Sequence, residues 1–69
     1  MIVACSDKDV VRQVRAVFAQ NGVRPDLIRE QGPHLSDTNI YLTINIKVPD
    51  EILAQIRAKV SQIGGATIQ

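Results

Sequence analysis

Sixty-nine residues make one small domain, residues 1–69, and eight basic against seven acidic side chains leave a net charge of +1. A domain this size buries only about 60% of the surface its unfolded chain exposes; with Cys5 and His34 single of their kind, an internal disulfide is impossible and a zinc cluster implausible, no cofactor is expected, and oligomerisation is the expected reinforcement. The near-neutral charge and an aromatic set of only Phe18 and Tyr41 argue against nucleic acid, and the absence of a long apolar run or a leader-like start argues for no membrane and a cytoplasmic setting.

Ile2-Val3-Ala4-Cys5 is a short apolar run that reads as a buried strand. Ser6-Asp7-Lys8-Asp9 has the form of a helix start, with Ser6 as the expected cap and Asp7 and Asp9 suited to the positive end of the dipole. Val10, Val11, Val14, Val17 and Phe18 then share one helical stripe, opposite Arg12, Gln13, Arg15 and Gln20, until Asn21-Gly22 ends the helix. Arg24 to Gln31 predicts a weaker edge strand with Pro25 at its entry, and Gly32-Pro33 with Ser36 to Asn39 predicts a turn. Ile40, Leu42, Ile44, Ile46 and Val48 alternate with Tyr41, Thr43, Asn45 and Lys47, which is the period of a half-buried antiparallel strand. Asp50 is the expected cap of a second helix whose stripe is Ile52, Leu53, Ile56, Val60 and Ile63; Gly64-Gly65 stops it before a short last strand, Ala66 to Gln69.

This order predicts an α+β fold of the ferredoxin-like βαββαβ type, a four-stranded antiparallel sheet with two helices on one face. The other face, with Tyr41, Thr43, Asn45 and Lys47, is expected to be solvated or a polar interface.

Ser6 to Val23 resembles the opening of an ACT domain, in the apolar pair Val10-Val11, Val14 three residues on, and Phe18-Ala19-Gln20-Asn21-Gly22-Val23 at the helix end. Ile40 to Gln69 is similar to that family's second half in length and pattern. The resemblance implies a regulatory, allosteric module of amino-acid metabolism that forms a homodimer, binds a small-molecule effector, or regulates a larger catalytic subunit. The same alignment puts Lys8 and Asp9 where the family has Pro and Gly, and a carboxylate at that point crowds and repels an amino-acid effector.

Ser6, Asp7, Lys8, Asp9 and Val10 are the candidate ligand-binding residues, because a helix N-terminus offers free N–H groups to an anion. Simple capping explains the same residues. Cys5 reads as a buried inert thiol and His34 as an exposed turn residue, so no catalytic residue is expected. Arg12, Arg15, Arg24, Arg29 and Lys8 stand among Asp9, Asp26 and Glu30, which cancel most of their field. The acidic residues lack calcium-loop spacing, so no metal site is expected. Two other readings stay open. One is nucleic-acid binding by the open sheet face through Tyr41 and Lys47; the other is an engineered or excised scaffold without activity of its own. Acyl-phosphate hydrolysis would need a glycine-rich anion loop after the first strand, and Ser6 to Asp9 contains no glycine.

Overall fold

The computed structural model describes residues 1–45 and 47–69, so the alternation expected at Ile46 lies outside the described residues. Strand β1 (Ile2–Cys5) leads into helix α1 (Lys8–Gln20); a 3-10 turn (Pro25–Leu27) precedes β2 (Ile28–Gln31), and β3 (Ile40–Ile44), α2 (Asp50–Ser61) and β4 (Ala66–Ile68) follow. The four strands form one open sheet in the order β2-β3-β1-β4, with every neighbouring pair antiparallel. An α+β chain of this kind is compatible with a ferredoxin-like arrangement.

One face of the sheet supplies the core. Val3, Cys5, Ile28, Ile40, Leu42 and Ile44 meet Val10, Val11, Val14, Val17 and Phe18 of α1 and Ile56 and Val60 of α2 in a single buried cluster. All five residues expected on the α1 stripe are buried. The stripe of α2 is covered less well: Ile56 and Val60 are buried, while Ile52, Leu53 and Ile63 are half-buried. The register sends Glu30, opposite Leu42, toward the helical side. There its carboxylate accepts from Arg15 Nη2 at 3.0 Å, so an ion pair fills the inward position of an edge strand.

Several boundaries differ from the sequence reading. Residues 25–27 form a 3-10 turn rather than the start of a strand, because Pro25 has no N–H to give a ladder and Leu27 N–H bonds back to the Arg24 carbonyl at 3.1 Å. β3 ends at Ile44, and Asn45, Lys47 and Val48 belong to the connection leading to Pro49 and α2. Asn45 and Lys47 therefore do not share a strand face with Tyr41 and Thr43. α2 is entered through Pro49, whose carbonyl accepts from Leu53 N–H at 2.9 Å; Asp50 is already helical and is not the cap. The helix closes at Ser61, one turn short of Gly64, with Ile63 N–H bonding the Val60 carbonyl at 3.0 Å.

Candidate functional site

The loop between β1 and α1 is held from two sides. Asp7 is the cap of α1: its backbone is extended and Oδ1 accepts from Val10 N–H at 3.0 Å. Ser6, expected in that role, sits one residue too early. Its N–H instead donates to the Gly65 carbonyl at 3.0 Å, prolonging the contact between β1 and the entry to β4. Gly65 has φ +88°, and a Cβ there would overlap Ser6 Oγ and lie 3.0 Å from Val10 Cγ2. The α2–β4 turn thus lies directly against the candidate loop.

Among the five candidate residues, Ser6, Asp7, Lys8 and Asp9 are exposed, and Val10 is a core residue. The place an external anion would take at Val10 N–H is filled by the chain's own Asp7 carboxylate. Asp9 stands in the same turn, 3.8 Å from Arg12, and both are largely exposed. Electrostatically this helix start is capped at Val10 N–H and carries two carboxylates, Asp7 and Asp9.

The basic side chains do not pool. Arg12 pairs with Asp9, Arg15 with Glu30, and Arg24 makes two bonds to Asp26, at 3.2 and 2.8 Å. Cys5 is fully buried, and desolvation, with the Glu30 carboxylate adding to it, pushes its thiol upward from the ordinary range. A raised thiol is a poor nucleophile at neutral pH. His34 is exposed in the β2–β3 connection, where its N–H and carbonyl pair with those of Asp37 at 2.9 and 3.2 Å. Among the described residues no cluster of His, Cys, Asp and Glu converges as a metal site would require.

The open sheet face carries Ile2, Ala4, Arg29, Gln31, Tyr41, Thr43 and Thr67, by register. Ala4 is buried between its cross-strand neighbours, and Ile2 is 39% exposed. The Tyr41 hydroxyl donates to Asp37, so the ring is tied to the loop beside it.

A different place has the shape of a ligand site. Where β3 gives out, the sheet, the last turn of α1 and the first two turns of α2 enclose a half-open cavity of about 390 Å³. Phe18, Ile44 and Ile56, all buried, form its floor. Met1, Val48 and Leu53, all half-buried, form its walls, and exposed Lys47, Asp50 and Arg57 stand at its mouth. Met1 is fixed by a pair of bonds with Ile44, at 2.9 and 3.0 Å. Sequence reading missed this site because its walls come from element ends. Phe18, Leu53 and Ile56 read as ordinary stripe residues.

No family model matches the sequence, and comparison with curated proteins and with solved structures finds no match.

Proposed function

We propose that this chain is a non-catalytic, ferredoxin-like βαββαβ regulatory module of the ACT kind that works as a homodimer and responds to a small metabolite. The observation that carries the dimer is the unequal protection of the two sheet edges. β2 exposes Arg29, Glu30 and Gln31, and charged side chains blunt an edge against further pairing. β4 is Ala66-Thr67-Ile68, with no charge and no proline, and it pairs with β1 in unbroken register. Beside it Ile52, Ile63, Ala66 and Ile68 remain half-buried around the core. The molecule exposes 4674 Å², against about 4,300 Å² for a compact monomer of this mass.

A second copy is the occupant that suits this edge. An antiparallel β4–β4 pair related by a two-fold axis joins the two sheets and brings both sets of half-covered isoleucines together. Regulation of a larger catalytic subunit would use the same dimer as its scaffold.

Sedimentation equilibrium at micromolar concentration tests the reading. The expected result is a dimer, weakened about fivefold or more by Thr67→Lys, which sets like charges across the two-fold axis without touching the core. A strict monomer, or a dimer indifferent to Thr67→Lys, overturns it.

A further inference from the structure

We propose that the cavity at the β3–α2 end binds an apolar monocarboxylate of about ten non-hydrogen atoms. This deepens the reading of the chain as a metabolite-binding module and does not depend on its dimerisation. Three observations converge on that class of ligand.

The first is size. A volume of about 390 Å³ lies at the small end of ligand pockets. With a water's share of liquid volume near 30 Å³, it holds roughly a dozen non-hydrogen atoms. The second is the lining. The side chains of Phe18, Ile44, Ile56, Val48, Leu53 and Met1 give the cavity hydrocarbon, ring and thioether surface beside polar lining, so the ligand has an apolar body and a polar end. The third is charge. Lys47 and Arg57 face one carboxylate, Asp50, at the mouth, and among the described residues none of the three is engaged in an ion pair. The first turn of α2 at the same mouth has no side-chain cap, in contrast to α1. Asp50 and Glu51 stand in that turn and already complement its dipole, so the preference for an anion rests on Lys47 and Arg57. The balance selects an anionic head group, held at the solvent edge by Lys47 and Arg57 while the tail enters between Phe18 and Leu53.

The site differs from the loop of Ser6 to Val10 in its apolar cavity and in its two cations outside any ion pair among the described residues, not in the number of carboxylates at the helix start. There a carboxylate of the chain caps the helix and a second one stands beside it. Here the helix start also carries two carboxylates, Asp50 and Glu51, but neither caps it, and it borders the apolar cavity.

Amide NMR titration with octanoate, octanol and octylamine, all below their aggregation concentrations, tests the assignment. Octanoate is expected to shift the amides of Ile44, Val48, Leu53 and Arg57 and to leave Ser6 to Asp9 unmoved. Octanol should bind about fivefold more weakly, the loss expected of two solvent-exposed ion pairs, and octylamine more weakly still. Lys47→Gln with Arg57→Gln should bring octanoate down to the level of octanol, and Leu53→Trp should fill the cavity and abolish both. Octanol or octylamine binding as well as octanoate overturns the anionic head. No shift at these residues, or shifts driven by protein concentration alone, which would give the cavity to a second copy, overturns the site. Sedimentation of the same samples separates the two claims: a monomer that binds octanoate removes the dimer and leaves the site standing.

Discussion

Asp37 organises the connection between β2 and β3 with a single carboxylate. One oxygen accepts from Asn39 N–H at 3.0 Å and the other from the Tyr41 hydroxyl. The bond from Tyr41, with the Asn39 N–H second, holds the Asp37 carboxyl below the ordinary carboxylate range, and the same bond raises the Tyr41 phenol. A depressed carboxyl contributes stability that is present above its unfolded pKa and lost as pH falls through its folded one. A raised phenol contributes stability that is present below its unfolded pKa and lost as pH rises through its folded one. Loop order should therefore persist across neutral pH and fail at both extremes. Tyr41→Phe should move Asp37 back toward the ordinary range, as read by side-chain carboxyl NMR, and an unmoved Asp37 would show that the hydroxyl does not set it. The caps make a sharper comparison. Asp7→Ala removes an acceptor for Val10 N–H and should cost about 1 kcal/mol in urea unfolding. Ser6→Ala removes a hydroxyl that caps nothing and should stay within about 0.5 kcal/mol.

The turn between α2 and β4 shows how one position couples two elements. Gly65 has a positive φ and sits against Ser6 and Val10, so Gly65→Ala carries both a conformational penalty and an overlap. Gly22, at φ +80° after α1, has nothing within 4 Å of an added Cβ. Gly22→Ala should therefore cost only the conformational penalty, about 1 kcal/mol, and Gly65→Ala clearly more, about 2 kcal/mol or above. Equal losses in urea unfolding would mean that the approach of the turn to Ser6 has no energetic weight. The interiors of elements were legible in the sequence because each depends on a repeating local period. The five stripe residues of α1 and the alternation from Ile40 to Ile44 are cases in point. Their ends were not. Asp7 in place of Ser6, Pro49 in place of Asp50 and Ile44 in place of Val48 each turn on which group a backbone N–H or carbonyl reaches, and that is set by tertiary neighbours such as Gly65. The candidate loop was legible as a helix start, yet its occupation by Asp7 was not. The cavity was invisible for a related reason, since it forms where three elements end together.

The two helices and one sheet face share a single small core, so each central side chain bears on all of it. Ile56 touches both the cluster and the cavity floor; Ile56→Ala should cost about 2–5 kcal/mol and make the cavity larger and less selective. That core is closed on the α1 side, where five stripe residues are buried and Arg15 locks Glu30. It is less closed on the α2 side, where Ile52, Ile63 and Ile68 are half-covered and β4 is an unguarded edge. The proposed second copy across β4 would answer both deficits at once. Backbone geometry supplies the most direct test. Gln69 N–H bonds the Ile2 carbonyl at 2.9 Å, and N–H groups alternate sides along a strand, so Ile68 N–H points away from β1 toward the open edge. Amide hydrogen exchange at Ile68, followed by NMR over a dilution series, measures whether that N–H has a partner. Protection at high concentration that disappears on dilution, and is lost in Thr67→Lys, is the predicted result; fast exchange at every concentration would contradict the dimer.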